Sequence, residues 1–178
     1  MKTYVAFLRG INISGKNKIS MGDLKKEFEH LEYTEVSTYL NSGNVIFSSE
    51  CESVTDIRNN IESMIRNVFG YVVPVYLITQ SDLDETLQNA PEWWGHGDKD
   101  KYDNLIFILT NDTPREISNM IGPVSEGMEL VQVHKKVIFW TFDRKLYQKC
   151  NWWKKTASSG IADKLTIRTA NTVRKMCK

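Results

Sequence analysis

The residues best suited to chemistry lie in one short segment near the N-terminus, running from Arg9 to Lys18. Gly10 and Gly15 allow backbone conformations that other residues disfavour, and the segment carries three cations, Arg9, Lys16 and Lys18. Backbone N–H groups exposed at such a turn, beside Lys and Arg side chains, form a concave site that suits phosphate or carboxylate. The segment therefore predicts an anion-binding loop.

The spacing of this loop approaches that of a P-loop, because Gly10, Gly15 and Lys16 match the pattern G-x-x-x-x-G-K. Asn17, however, stands where Ser or Thr would ligate magnesium, and the following helix starts about three residues too late. A P-loop also needs a parallel sheet behind it, whereas the order of elements here predicts an antiparallel one. The sequence thus disfavours an NTPase. A second alternative stays open, in which the glycines only shape a surface loop and the cations are solvated.

Hydrophobic periodicity predicts which elements position the loop. The first 80 residues follow the order βαββαβ, with strands expected at 4–8, 36–40, 45–47 and 72–78 and helices at 21–31 and 54–68. Ser20 and Asp23 resemble a capping box at the start of the first helix, and Gly70 is a natural end for the second. Because Pro74 cannot donate to a sheet, the closing strand should lie at a sheet edge.

The second half repeats this order more loosely. We expect a connecting helix at 81–89, strands at 105–109, 128–133, 137–142 and 165–168, a helix after Thr113-Pro114, a helical stretch at 144–159 and a final helix from Thr169. The predicted fold class is α+β, with two ferredoxin-like βαββαβ units in tandem (residues 1–80 and 81–178), each an antiparallel sheet with helices packed on one face. The halves share this pattern but no residue-level repeat.

This topology brings a second polar segment towards the loop. The first two strands of a βαββαβ unit run the same way, so the loop at 9–18 and the hairpin turn at 41–44 should emerge at the same end of the sheet. Amides and cations would surround the shared mouth: Arg9, Asn12, Lys16, Asn17, Asn41, Ser42 and Asn44. The absence of a carboxylate or His base from this set favours binding over catalysis. Each asparagine alone is equally well explained as a turn-former.

Other polar and aromatic residues give weaker signals. His30, His96 and His134 have no metal-ligand spacing, so no metal site is predicted. Trp93-Trp94 lies in a long irregular segment and fits either a stacking surface or, as we favour, a lid over the junction between the halves. Basic and aromatic side chains are interleaved between Arg144 and Lys155. This pattern fits a surface that binds single-stranded nucleic acid or, as we favour, an amphipathic helix whose tryptophans pack inward.

Composition sets limits on the partners. With 23 Lys and Arg against 22 Asp and Glu, the net charge of +1 gives no global attraction to nucleic acid or membranes, so a nucleotide or nucleic-acid partner would need the local basic loop. We find neither a leader segment nor an apolar run long enough for a membrane span. Three widely spaced cysteines, Cys51, Cys150 and Cys177, fit reduced thiols in a cytoplasm.

Two stretches carry a resemblance to a known family. The segment FLRGIN at 7–12 with GKN at 15–17, and the segment TYLNSGNVIF at 38–47, resemble the signatures of the bacterial family called domain of unknown function 1697. The family's closing stretch resembles Thr166, Arg168, Asn171, Thr172 and Val173, and this chain departs from it at Ile167, Thr169 and Ala170. The resemblance implies a cytosolic bacterial protein with tandem ferredoxin-like units and brings no established activity. It also implies that the N-terminal motifs, Arg168 and Asn171 belong to one functional region.

These observations support three hypotheses. The first is a binding module for an anionic ligand, such as the phosphate of a nucleotide or nucleic acid. The second is an enzyme acting on a phosphorylated or carboxylated small molecule, and the third is a structural or interaction protein. The candidate ligand-binding residues are Arg9, Gly10, Asn12, Gly15, Lys16, Asn17, Asn41, Ser42, Asn44, Arg168 and Asn171. No particular cofactor, catalytic residue or oligomeric state follows from the sequence.

Overall fold

The computed structural model of the protein describes residues 1–177. The chain divides into two compact units, one made of residues 1–85 and the C-terminal residues from Lys175, the other of residues 86–174. Within residues 1–177 there are two four-stranded antiparallel sheets and six α-helices, which confirms the predicted α+β class. None of the helices found among these residues has both the length and the apolar character needed to span a bilayer.

The first unit is built around one sheet in the strand order β2-β3-β1-β4. Its elements are β1 (Lys2–Leu8), α1 (Met21–His30), β2 (Thr34–Tyr39), β3 (Asn44–Ser49), α2 (Val54–Phe69) and β4 (Val75–Thr79), after which α3 (Gln80–Gln88) leads into the second unit. Leu24 and Phe28 of α1, and Ile57 and Ile61 of α2, are fully buried in the core that covers this sheet.

Local signals set the limits of these elements. The Ser20 side chain accepts a hydrogen bond from the backbone N–H of Asp23 and caps α1, while α2 ends at Gly70 with a φ of 76°. The strand β4 begins directly after Pro74 and lies at the sheet edge, as predicted.

The second unit repeats the strand order, as β6-β7-β5-β8. Its elements are β5 (Lys101–Ile108), α4 (Pro114–Ile121), β6 (Glu129–His134), β7 (Val137–Asp143), α5 (Asn151–Thr156), β8 (Leu165–Thr169) and α6 (Ala170–Met176). Thr113 and Glu116 form a capping box at the start of α4.

The helical stretch expected at 144–159 is present but shorter, and it is interrupted. The chain forms a 3-10 turn at Tyr147–Lys149, extends at Cys150 (φ −72°, ψ 127°) and only then enters α5. Hydrogen bonds to other segments compensate for the break, because the Asn151 side chain donates to the carbonyls of Ile121 and Pro123, at 3.1 and 2.7 Å. These contacts are long-range and outweigh local helix propensity.

Candidate functional site

The loop after β1 is fixed to the core at both ends by isoleucines. Ile11 and Ile19 are 1% and 3% exposed, whereas Ile13 at the tip is 59% exposed. At the tip, the backbone N–H of Lys16 donates to the carbonyl of Ile13 at 2.9 Å and closes a tight turn. The backbone φ is positive at Gly10, Asn12, Ser14, Gly15 and Asn17.

Asn12 is the residue that connects the loop to the hairpin. Its Nδ2 donates to the carbonyls of Ile19, at 2.8 Å, and Asn41, at 2.9 Å, while its Oδ1 accepts from the backbone N–H of Ile19 at 2.9 Å. In the same way, Asn17 Nδ2 donates to the carbonyl of Gly10 at 3.0 Å. The loop and the hairpin are therefore neighbours, as their position in the fold predicts, and both side-chain amides serve to hold the loop's shape.

The hairpin turn at 41–44 is equally constrained. Gly43 has a φ of 80°, and a Cβ there would lie 2.7 Å from Leu8 Cβ and 2.9 Å from Ile11 Cδ1. Asn44 is fully buried, and its Nδ2 donates to the Tyr39 carbonyl at 2.8 Å and to Ser42 Oγ at 3.0 Å. Ser42 and Asn44 thus take part in shaping the turn, whereas the Asn41 side chain is exposed.

A surface depression of about 520 Å³ lies where the loop, the hairpin and the start of α1 meet. It is lined by Asn12, Gly15, Lys18, Ile19, Ser20, Met21 and Asn41. Among these lining residues there is no carboxylate and no imidazole, and Lys18 supplies a positive charge. Lys16 is exposed close by along the chain, and neither lysine forms an ion pair with the described residues 1–177.

Arg9 and Gly10 stand at the base of the loop, next to the sheet. Both are half-buried, and the backbone N–H of Arg9 donates to the carbonyl of Pro74 at 2.9 Å. Neither residue lines the depression. Lys18 belongs to the predicted loop, although it was not among the candidate binding residues. The residues at the depression that sequence reasoning missed are Ile19, Ser20 and Met21. The signal that could have found them is the capped start of α1, because the first turn of a helix presents unpaired N–H groups.

The two C-terminal candidates lie in the second unit and differ in exposure. Arg168 on β8 is 8% exposed, and its Nη1 donates to Thr166 Oγ1 at 2.8 Å and to the Ile167 carbonyl at 3.0 Å. Burial lowers the pKa of the Arg168 guanidinium to about 10. Asn171 on α6 is exposed and lines a second depression, of about 660 Å³.

Sequence reasoning missed most of this second depression. Its lining includes Gly95, Lys99, Asp103 and Arg144 as well as Asn171. The available signal was the long segment before β5, whose Gly95 and Gly97 both adopt positive φ. Long irregular segments of this kind often form binding sites.

Two of the four tryptophan candidates are core residues. Trp94 is 2% exposed, and its Nε1 donates to the Asn104 carbonyl at 2.7 Å, so it offers no surface for stacking. Trp152 is also buried and donates to the Gly122 carbonyl, whereas Trp153 is 37% exposed and packs edge-on against Tyr147. The inward tryptophan of the favoured interpretation is therefore confirmed for Trp152 only.

Histidine and acidic residues do not gather into a metal site within the described chain. His30 lies 3.3 Å from Glu27, and His96 contacts the Glu92 carbonyl. Over residues 1–177, no group of three or more His, Cys, Asp and Glu residues is arranged to hold a metal ion.

The fold and the site define an α+β protein of two compact units. In the first unit, Asn12 fixes the loop after β1 to the hairpin turn, and this loop borders a depression at the start of α1. The chain belongs to the family described as Protein of unknown function (DUF1697), whose model matches residues 1–139. This finding confirms the resemblance seen in the motifs at 7–17 and 38–47.

The solved structure of a conserved bacterial protein from Streptococcus pneumoniae is similar to this chain over nearly its whole length. The two share 26% sequence identity with a TM-score of 0.85, over 98% of this chain and 96% of that one. Among curated proteins, none matches the sequence.

Proposed function

We propose that the first unit binds a phosphate-bearing ligand, such as a nucleotide or a nucleic-acid strand, in the depression at the start of α1. The observation that carries the proposal is the lining of this depression: a loop with repeated positive φ, a helix N-terminus and Lys18, without a carboxylate. Backbone of this kind forms anion-binding concavities, and a helix N-terminus adds partial positive charge.

The contacts sort the candidate residues into two roles. Asn12, Asn17 and Asn44 use their side-chain amides to hold the loop and the turn, so they shape the site. Lys16, Lys18 and Asn41 are exposed and form the ligand-facing set of the proposal.

An enzyme acting on a phosphorylated or carboxylated small molecule is the less favoured alternative. General acid–base chemistry needs a titratable group within hydrogen-bond reach of the reacting atoms. The lining of this depression carries no Asp, Glu or His, so binding fits it better than catalysis does. The third hypothesis, a purely structural or interaction protein, has no particular observation in its favour.

The proposal includes a fold and a setting. The two halves expected from the sequence, residues 1–80 and 81–178, would each be a ferredoxin-like domain, supported by the shared strand order β2-β3-β1-β4 and β6-β7-β5-β8. A cytoplasmic setting is supported by three cysteines that are free thiols. Arg168 and Asn171 remain candidates through their resemblance to the family's closing motif.

Titration calorimetry with pyrophosphate, ATP and a short single-stranded RNA tests the proposal. The Lys16→Ala/Lys18→Ala variant should lower affinity about tenfold, because each lysine contributes one charge-assisted contact. The matched control is Lys25→Ala/Lys26→Ala, which removes the same charge from the exposed side of α1. Equal loss of affinity in both variants would mean that only net charge matters, and no binding of any of the three anions at low salt would contradict the proposal.

A further inference from the structure

Two buried polar atoms without a hydrogen-bond partner in the described chain lie on β5 and β7, and one of them belongs to a residue that lines the depression in the second unit. Asp103 Oδ2 accepts a hydrogen bond from the backbone N–H of Gly95 at 2.9 Å, but Asp103 Oδ1 is buried and has no hydrogen-bond partner within residues 1–177. Thr141 lies directly across from Asp103 in the pairing of β5 with β7, and its Oγ1 is also buried without a partner. Directly opposed residues project from the same face of a sheet.

Two such atoms on neighbouring strands are costly, because burial without hydrogen bonding removes their contacts with water. Asp103 lines the depression. A carboxylate oxygen requires a donor, while a threonine hydroxyl both donates and accepts. A ligand hydroxyl satisfies both requirements at once, whereas an ammonium group only donates.

Three cationic side chains line the same depression as Asp103. Lys99 is exposed and forms no ion pair with the described residues, and Lys101 lies 3.9 Å from Asp143. The Arg144 guanidinium is held 4.8 Å above the Tyr102 ring, with its Nε donating to the Lys101 carbonyl at 2.8 Å. Because Lys101 pairs with Asp143, Lys99 and Arg144 are the cations of the lining that an anionic group can approach, beside the carboxylates Asp98 and Asp103.

The segment that covers the depression is constrained at Gly95. With a φ of 81°, a Cβ at this position would lie 2.6 Å from a terminal nitrogen of Arg174. Arg174 in turn lies 6.0 Å from the centre of the Trp94 ring. The backbone N–H that fixes Asp103 is therefore itself held in place.

We propose that this depression is a second binding site, for a small hydroxylated anion of the sugar-phosphate class. A hydroxyl of the ligand donates to Asp103 Oδ1 and its phosphate is drawn towards Lys99 and Arg144. The lining of this site shares no residue with that of the depression in the first unit, and its ligand class includes a hydroxyl that the first site does not require.

Two-dimensional amide NMR of the full chain, titrated with ribose 5-phosphate, tests this assignment. We expect saturable shifts of the Gly95 and Gly97 amides and at least about tenfold weaker binding in Asp103→Asn, because the new amide must turn its oxygen to the Gly95 N–H and then offers the ligand hydroxyl a donor in place of an acceptor. The shape-preserving Thr141→Val should also weaken binding, since it removes a second hydrogen-bonding partner for that hydroxyl. Asp100→Asn, an exposed carboxylate of the same segment that pairs with Lys145, is the matched control and should change affinity by less than about twofold. The well-dispersed spectrum of each variant reports its folding.

Three results would overturn the assignment: no saturable shift at Gly95 and Gly97, equal affinity in Asp103→Asn and Asp100→Asn, or binding of inorganic phosphate as tight as that of ribose 5-phosphate. The Lys16→Ala/Lys18→Ala variant should bind ribose 5-phosphate at Gly95 as the wild type does. Failure of the second site is thereby distinguished from failure of the first.

Discussion

Asn12 and Asn41 both line the first depression, but their side chains have different roles. The Asn12 side chain makes three hydrogen bonds that join the loop to Ile19 and to the hairpin. The Asn41 side chain is exposed, and only its backbone carbonyl takes part, as an acceptor for Asn12. One asparagine builds the site and the other faces solvent.

Replacing Asn12 with Ala should therefore lower the free energy of unfolding by about 2–3 kcal/mol, because it removes these hydrogen bonds and places Ala at a φ of 55°. Asn41→Ala should change it by less than about 0.5 kcal/mol. Urea denaturation of both variants measures the difference. Equal changes in the free energy of unfolding would show that the Asn12 side-chain hydrogen bonds do not stabilise the fold.

The three thiols should differ sharply in reactivity. Cys51 is exposed, whereas burial raises the pKa of Cys150 to about 11 and that of Cys177 to about 12. Since the thiolate is the reactive form, iodoacetamide at about pH 8 should alkylate Cys51 and leave the other two unmodified. Mass spectrometry after a short exposure measures the alkylation of each cysteine, and rapid alkylation of Cys150 or Cys177 would contradict the prediction. Denatured protein, in which all three cysteines should react, is the control.

The same shifts predict a pH dependence of stability. Because the folded pKa values of Cys150 and Cys177 lie above the ordinary thiol value of 9.0, the folded chain binds more protons than the unfolded chain at high pH. The contribution of these thiols to stability is complete below about pH 9 and declines as the pH rises towards about 11 or 12. The stability difference between the wild type and Cys150→Ala/Cys177→Ala should shrink over that range, and a constant difference would mean that the two thiols do not couple folding to pH.

At the scale of elements, the hairpin between β2 and β3 depends on one glycine. Gly43→Ala should cost about 3 kcal/mol or more, because the new methyl group meets Leu8 and Ile11 and the φ is positive. Gly10→Ala is the matched control, since its φ of 73° is similar but nothing lies within 4 Å of the new Cβ, and it should cost only about 1 kcal/mol. Thermal denaturation compares the two, and equal losses would mean that the backbone conformation alone matters.

The start of α5 depends on a buried carboxylate from another element. Glu129 is 2% exposed and accepts from the backbone N–H groups of Trp152, at 2.9 Å, Trp153, at 3.3 Å, and Ser125, at 2.9 Å. Glu129→Gln places an amide donor against a backbone donor, so we expect a loss of about 2–3 kcal/mol. Glu126→Gln, at an exposed position, should leave the free energy of unfolding unchanged in the same denaturation experiment. If Glu129→Gln also left it unchanged, Glu129 would not act as the cap of α5.

Elements marked by local chemistry were the predictable ones. The caps at Ser20 and Thr113, the end of α2 at Gly70 and the edge position of β4 all follow from residues within a few positions along the chain. The break at Cys150 was not predictable, because Glu129 and Asn151 impose it through hydrogen bonds to distant segments.

Across the whole molecule, the first site was more accessible to sequence reasoning than the second. The direction of the strands alone predicts that the loop and the hairpin turn lie close together, and the hydrogen bond from the Asn12 side chain to the Asn41 carbonyl confirms this. The second depression draws on Gly95, Asp103, Arg144 and Asn171, which no single motif contains. The family model likewise ends at residue 139, before β8 and α6.

Anomalous diffraction from crystals soaked in selenate shows whether the loop between β1 and α1 holds an anion. We expect a selenium peak in the first depression, with an anion oxygen within about 3 Å of a backbone N–H between Gly15 and Met21, and loss of that peak in Lys16→Ala/Lys18→Ala crystals. Selenate found only elsewhere, or bound equally in the variant, would mean that this loop is not the anion-binding site.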